Sequence, residues 1–275
     1  MIEIPEAIVL AKQLEVSIKD KIVDEVVTLA SPHKFAFFHE DPKDYESLLK
    51  GKKVIKSYPL AGRVEIDFDD ILLSFNDGVN LRFYQNSNIP EKHQLLIRFD
   101  DSSTLVASVA MYGGLVAYKK GEMDDNFYYR VSKEAVSPLS DDFTYDFFMG
   151  LFDDSSYKMS AKAFLATKQR IPGLGNGILQ DILLNARVHP KRKMNTLSES
   201  ELHNLFDSIK STIDEMVSFG GRDTEKDLYG NAGSYITKLS KKSILSGCVN
   251  CGGKIIKESY MGGSIYYCSS CQQLQ

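Results

Sequence analysis

The chain has 275 residues, lacks any long uninterrupted apolar segment, and shows no cysteine in its first 247 positions. Because a membrane-spanning helix needs about 20 consecutive apolar residues, we expect no membrane partner. The first ten residues carry two glutamates and no basic residue. A secretory signal peptide begins with basic residues, so we expect a cytoplasmic protein. Internal repeats are also missing, and a hydrophobic share of 43% is ordinary for a folded chain.

Charge is distributed unevenly along the sequence. Residues 1–154 carry 17 Lys and Arg against 27 Asp and Glu, whereas residues 155–275 carry 16 against 10. The net charges of the two parts are therefore −10 and +6. A basic second half is expected if that half binds phosphate groups. Chance variation between two domains explains the same asymmetry equally well, so charge alone leaves both interpretations open.

All four cysteines lie in the last 28 residues, as two Cys-x-x-Cys pairs with 16 residues between them: Cys248, Cys251, Cys268 and Cys271. Two disulfides are the competing interpretation, but a cytosolic chain keeps its thiols reduced. Paired Cys-x-x-Cys motifs at this spacing predict a tetrahedral Zn²⁺ site on a hairpin of strand, Gly-rich turn and strand. Four thiolates leave no ligand position for water, so the predicted zinc is structural.

The remaining sequence predicts an α+β fold in which an N-terminal β-sandwich with a leading helix is followed by a helical domain. The leading helix is predicted over residues 6–20, from apolar positions spaced for one helix face. Further helices are predicted at 160–167, 177–185 and 198–219, the last opened by a capping box of Ser198 and Glu201. Short apolar runs separated by turn residues predict strands at 63–68, 71–75, 94–99 and 104–109. The predicted domains are 1–137, 138–243 and 244–275.

A glycine-rich turn separates two of these helices, at Gly173-Leu-Gly-Asn176-Gly177. Such a turn presents backbone N–H groups at the start of the next helix, which suits a DNA phosphate. Taken alone the motif is weak, and an ordinary corner between two helices explains it as well.

Four elements in order resemble the Fpg/Nei (formamidopyrimidine-DNA glycosylase / endonuclease VIII) superfamily of DNA repair enzymes over essentially the whole chain. They are the opening Glu3-Ile-Pro-Glu6 before a helix, the helix-two-turn-helix (H2TH) around Ile171 to Asn176 with His189-Pro190, the Gly220-Gly221 loop and the terminal cysteine hairpin. The likeness is closer to the endonuclease VIII branch. It implies a monomeric DNA glycosylase and abasic-site lyase that binds damaged or abasic double-stranded DNA in a cleft between its halves.

The resemblance also implies the roles of individual residues. The nucleophile is the α-amine of the residue after Met1, here Ile2, and Glu3 and Glu6 transfer protons and position the sugar. Residues implied to bind the DNA are Arg63, Lys162 and Asn176 at phosphates, with Met111 and Tyr112 filling the space left by the flipped nucleotide. The alternative for Met111 and Tyr112 is that both are core residues at a strand end.

Three positions depart from the family pattern. Ile2 replaces the usual proline, Asp77 lies where many members have a second inserted side chain, and Gly262-Gly263-Ser264 replaces a phosphate-binding arginine. Two functions therefore stay open beside each other: a glycosylase/lyase with a non-proline amine, and a catalytically weak or inactive protein that binds damaged DNA. A ribosome- or RNA-associated protein with a zinc ribbon is a third hypothesis, which leaves the Glu3–Glu6 motif unexplained.

Overall fold

The structure is a computed structural model that describes residues 1–85 and 88–274. It divides into two compact units, one of residues 1–133 and 220–234 and the other of residues 134–219 and 235–275. The predicted domains 1–137, 138–243 and 244–275 stay predictions. The two units differ from them in two respects, because the cysteine hairpin is part of the second unit and residues 220–234 are part of the first. Residues 220–234 belong with the first unit because Leu228 is fully buried in the core of that unit.

The first unit begins with helix α1, Ile4–Ile18. Its start is fixed by a capping box in which the side chains of Glu3 and Glu6 each accept the other residue's backbone N–H. Pro5 fits here because the first turn of a helix leaves N–H groups without an intrahelical acceptor. Leu10, Leu14 and Ile18 are spaced for one face and are buried in the core. The predicted helix is confirmed, with its start two residues earlier than the predicted position.

Two sheets pack around this core. The strands are β1 Val23–Thr28, β2 Ala36–Phe37, β3 Lys56–Leu60, β4 Arg63–Asp67, β5 Ile71–Asn76, β6 Val79–Tyr84, β7 Leu95–Phe99, β8 Thr104–Val109 and β9 Gly113–Lys119. One sheet has the order β1-β7-β8-β6, and the other has the order β2-β9-β5-β4-β3. Apolar side chains of both sheets, such as Phe75 and Ile97, join one buried cluster. All neighbouring strands named here are antiparallel except β2 and β9, which pair in parallel.

Helices complete the first unit and are the main regular elements of the second. The first unit also contains α2, Tyr45–Leu49, and α3, Phe127–Lys133. The second unit contains α4 Tyr145–Gly150, α5 Ala161–Ala166, α6 Asn176–Asn185, α7 Glu199–Ser218, α8 Ser243–Ser246, and the hairpin of β10 Ile255–Tyr260 and β11 Gly263–Cys268. The predicted α+β class, with its sandwich, helical region and cysteine hairpin, is confirmed. Within the described residues, no helix is both long and apolar enough to cross a membrane.

Candidate active site and nucleic-acid interface

The N-terminal residues are held in place by the first unit. The Ile2 backbone N–H donates to the Asp77 carbonyl at 2.6 Å, and the Ile2 side chain is only 5% exposed. The Met1 ammonium forms an ion pair with Glu225. With Met1 present, the nitrogen of Ile2 is therefore a peptide nitrogen in a β-bridge, and the only α-amine belongs to Met1.

Glu3 and Glu6 lie together and share a buried cation, Arg222. The Arg222 guanidinium donates to both oxygens of Glu6, with Nε–Oε1 at 2.8 Å and Nη2–Oε2 at 2.7 Å. Its Nη1 lies 3.5 Å from Oε2 of Glu3. Burial lowers the pKa of the Arg222 guanidinium, but the charges of Glu3 and Glu6 outweigh burial, so that the pKa is raised overall. The structure brings the two predicted residues Glu3 and Glu6 together, and their shared partner Arg222 was not among the residues predicted from the sequence.

Arg222 lies in the segment of residues 220–234, which we call the strap. Gly220 and Gly221 both have positive φ, 70° and 97°, which is the conformation glycine tolerates best. A Cβ atom on Gly233 would lie 2.1 Å from the Gly221 carbonyl oxygen, so the two ends of the strap can approach only because position 233 has no side chain. The glycine pair noted in the sequence was therefore the available signal for this loop.

The strap is fastened to α1 further along. Gln13 donates to the Asp227 carboxylate at 3.0 Å and accepts the Leu228 backbone N–H at 2.9 Å. Arg82 on β6 donates to the Asp227 carbonyl at 3.0 Å. These contacts fix the strap independently of Arg222.

Arg63 lies beside Asp77 at the corner that holds Ile2. Arg63 begins β4 and pairs in register with Asn76, the residue before Asp77. Burial raises the pKa of the Asp77 carboxyl, and the positive charge of Arg63 opposes that increase. The structure thus brings the implied phosphate ligand Arg63 and the implied nucleophile position to the same corner of the unit.

Met111 and Tyr112 lie on the turn between β8 and β9 and are 66% and 43% exposed. Their exposure excludes the alternative that both are core residues. The turn is fixed by the neighbouring β5–β6 turn, because the Gly78 N–H donates to the Tyr112 carbonyl at 2.9 Å. Phe35, which the sequence prediction missed, is exposed beside this turn, and its carbonyl accepts the Gly113 N–H at 3.0 Å.

In the second unit, Lys162 and Asn176 converge on the tip of the cysteine hairpin. The Lys162 ammonium donates to the Tyr260 carbonyl at 2.7 Å, and the Asn176 carboxamide donates to the Ser264 carbonyl at 3.0 Å. Burial lowers the pKa of Lys162. Gly263 lies between the two, since a Cβ there would be 3.5 Å from the Lys162 Nζ. The Gly262-Gly263-Ser264 departure therefore lies directly beside the two predicted phosphate ligands.

The four cysteines form a compact cluster in the second unit. Their sulfur atoms all lie within 4.8 Å of one another. Four sulfurs at about 2.3 Å from a central ion are separated by less than 4 Å in a tetrahedron, so the cluster fits a metal ion with little adjustment. No pair of the four is a disulfide. The alternative of two disulfides is not realised in this structure.

The family model that matches the chain is described as the formamidopyrimidine-DNA glycosylase H2TH domain and covers residues 135–227. These residues are therefore similar to an H2TH domain. A curated formamidopyrimidine-DNA glycosylase of Cytobacillus firmus is 27% identical over 252 residues, covering 87% of this chain and 89% of that protein. The formamidopyrimidine-DNA glycosylase of Brevibacillus brevis is 26% identical over 285 aligned residues, and the alignment covers 100% of this chain and 100% of that protein.

A solved structure extends the likeness to the whole fold. The complex of Lactococcus lactis Fpg with abasic-site DNA superposes with a TM-score of 0.82 at 23% identity, covering 98% of this chain and 99% of that chain. At this identity the likeness shows a shared fold. The closer likeness to the endonuclease VIII branch stays a prediction.

Proposed function

We propose that this chain is a base-excision repair enzyme that binds damaged or abasic double-stranded DNA as a monomer in the cytoplasm. It removes oxidised bases and cleaves the abasic strand by β-elimination. The observation that carries the proposal is the convergence of Glu3 and Glu6 at the start of the chain, in a fold shared with an Fpg bound to abasic-site DNA. The curated relatives of the same length are named as enzymes of this class.

The proposed nucleophile is the α-amine of Ile2 after removal of Met1. A free α-amine has a pKa near 8, so a useful fraction is uncharged at neutral pH. The amine attacks C1′ of the sugar while the bond between C1′ and the base breaks, and the base leaves in protonated form. The amine gives up a proton, and the bond between C1′ and the ring oxygen O4′ then breaks, so that a C1′=N Schiff base forms and the ring oxygen takes up a proton. Glu3 accepts the proton that the amine loses, and Glu6 positions the sugar. Loss of a proton from C2′ then breaks the bond between C3′ and its phosphate oxygen, and water releases the protein.

Binding is assigned to separate groups in the two units. Met111 and Tyr112 are exposed on a fixed turn, as insertion into a base stack requires. Phosphates are assigned to Arg63, Lys162 and Asn176. The cysteine cluster would hold Zn²⁺, which supplies structure and no open ligand position.

A second function, damaged-DNA binding without catalysis, is favoured by one observation. With Met1 retained, the Ile2 nitrogen is a hydrogen-bonded peptide group and the Met1 amine is paired with Glu225. No nucleophile then lies at the position that Glu3 serves. Retention of Met1 would convert the proposed enzyme into a binding protein.

Borohydride trapping on abasic-site DNA separates the two functions. The reagent reduces a Schiff base to a stable amine, so the enzyme is expected to yield a covalent protein–DNA adduct. Glu3→Gln serves as the control, because it keeps the side-chain volume and removes the proton acceptor. Tight binding without an adduct in the wild-type protein would favour the binding function and contradict the catalytic one.

A further inference from the structure

Arg222 is the most buried cation near the N-terminus, and it lies between two buried carboxylates. Arg222 is 2% exposed, Glu3 3% and Glu6 5%. Its two hydrogen bonds to Glu6 have the planar, two-point geometry that a guanidinium makes with a carboxylate. The three side chains therefore form a buried network of ion pairs and hydrogen bonds. It differs from a surface ion pair, in which both side chains remain largely hydrated.

The network also includes the backbone that leads to residue 2. The Glu6 carboxylate accepts the Glu3 backbone N–H at 3.3 Å, and the Glu3 side chain accepts the backbone N–H of Glu6. A shift of either carboxylate therefore displaces the first turn of α1. Because Arg222 donates hydrogen bonds to both carboxylate oxygens of Glu6, it restrains this turn and the residues before it.

Charge balance inside the network depends on Arg222. A buried carboxylate that lacks a cationic partner takes up a proton, because burial penalises the ionised form. Removing one partner of a buried ion pair leaves the other without compensation. Two carboxylates that share a single guanidinium are therefore both affected when that guanidinium is removed.

We propose that Arg222 is a positioning residue that orients Glu3 and Glu6 beside the N-terminal amine and compensates their charge. This inference rests on the proposed lyase function for its chemical meaning. Arg222 would act through the glutamates and would not itself touch the reacting atoms. An ionised Glu3 can accept the proton that the amine loses when it attacks the sugar.

Other charged groups face the same network and must be considered in any pH dependence. On the strap, Glu225 pairs with the Met1 ammonium, and Lys226 and Asp227 line the same small cavity as Glu6 and Arg222. On the sheet side, the Asp77 carboxyl lies beside Arg63, and the Asp77 backbone carbonyl accepts the Ile2 N–H. Each of these is retained in the variants below, so differences between variants report Arg222.

The test compares Arg222→Met, which removes the charge at similar volume, with Arg222→Lys, which keeps a charge but loses the two-point geometry. Arg82→Met is the matched control, because Arg82 fastens the strap at the Asp227 carbonyl without contacting either glutamate. The first readout is the ¹³C NMR titration of the Glu3 and Glu6 carboxyl groups in the free protein. Signals are assigned with Glu3→Gln and Glu6→Gln.

In Arg222→Met, at least one of the two titration midpoints is expected to rise by about one pH unit or more. Arg222→Lys is expected to shift less, and Arg82→Met not at all. Identical midpoints in the wild type and in the folded Arg222→Met protein would overturn the inference. If Arg222→Met does not fold, the comparison of Arg222→Lys with Arg82→Met decides in the same way.

The second readout is the pH profile of borohydride trapping. Its acid limb is expected to move to higher pH in Arg222→Met and to be partly restored in Arg222→Lys. A loss of trapping without a shift of the limb would assign Arg222 a merely structural role and overturn the inference. Failure of the wild-type protein to trap at any pH would instead contradict the proposed function, while the NMR titration would still decide the role of Arg222.

Discussion

Asn176, a single residue at the start of α6, shows how phosphate binding would compete with contacts inside the second unit. Its carboxamide donates to the Ser264 carbonyl at 3.0 Å, and Gln180, one turn later, donates to the same carbonyl at 3.1 Å. A phosphate that binds Asn176 would therefore replace one acceptor by another. Exchange of this kind gives a modest net gain, which a charged acceptor increases.

Replacement of Asn176 by alanine is expected to weaken DNA binding by a factor of about ten to one hundred, equally for duplexes of different sequence. Phosphate contacts carry no sequence information, and a hydrogen bond to a charged group contributes about 1.5–3 kcal/mol. Fluorescence anisotropy with several duplexes measures the effect. Gln180→Ala is the matched control, since it also loses the contact to Ser264. Equal losses in both variants would assign the effect to the hairpin position rather than to a phosphate contact.

The residues of the candidate site were not equally predictable. The four cysteines could be assigned to one site because their spacing along the chain encodes their proximity, and Glu3 and Glu6 lie on one helical turn. Arg222 could not be assigned, because it is separated from Glu6 by 216 residues and its partners depend on the path of the strap. Ile2 was predicted as a nucleophile from resemblance, and that role stays a prediction.

At the scale of elements, α6 is tied to the segment before the cysteine hairpin by one buried carboxylate. Asp181 accepts hydrogen bonds from the Lys238 and Leu239 backbone N–H groups and from the Tyr235 hydroxyl. Burial raises the pKa of Asp181 to about 6, although these hydrogen bonds oppose the increase. The same helix begins with Asn176, so this link bears on the position of the predicted phosphate ligand.

The raised pKa of Asp181 predicts a pH-dependent stability. The folded protein binds the Asp181 proton more tightly than the unfolded chain does. The contribution of this proton to the free energy of unfolding is therefore fully present below about pH 4 and is lost as the pH rises through about 6. The contribution is at most about 3 kcal/mol, for a shift of roughly two pKa units. Urea unfolding at several pH values compares the wild type with Asp181→Asn, in which this dependence is absent. An identical pH dependence in both proteins would contradict the assignment.

The cysteine hairpin is expected to depend on its metal. The apolar cluster beneath it is small, consisting of Leu184, Leu239, Cys248, Ile255 and Cys268 with three half-buried neighbours. Chelation or Cys268→Ser is expected to expose the β10–β11 amides to rapid hydrogen exchange while those of β7–β8 stay protected. The wild type should contain one equivalent of zinc by elemental analysis. Ser270→Ala is the control, and full protection of the hairpin after chelation would contradict a structural metal.

Helices and strands with a regular sequence pattern could be predicted from the sequence. Strands whose presence depends on pairing with a distant part of the chain could not. The predicted strand at 104–109 coincides with β8, and the capping box of Ser198 and Glu201 opens α7 as predicted. β2 has only two residues, and its parallel pairing with β9 depends on contacts across the sheet. This pairing lies beside Phe35, whose carbonyl accepts the Gly113 N–H next to the exposed turn of Met111 and Tyr112.

At the scale of the whole molecule, the charge distribution predicts a salt-dependent affinity for DNA. The chain has a net charge of −4, so attraction to DNA must come from local basic groups such as Arg63 and Lys162. If two phosphates are neutralised, affinity is expected to fall roughly tenfold between about 50 and about 200 mM salt. Anisotropy titrations at three salt concentrations measure the slope. A constant affinity over this range would contradict binding through phosphates.

The identity of the reacting amine tests the account most directly. Protein is trapped with borohydride on abasic-site DNA, the adduct is digested, and mass spectrometry locates the modified residue while intact mass reports the presence of Met1. We expect the adduct on the α-amine of Ile2, in chains that have lost Met1, because a shift of one residue moves the amine by about 3.5 Å. An adduct on Met1 or on an internal lysine, or no adduct in chains that begin at Ile2, would contradict the account.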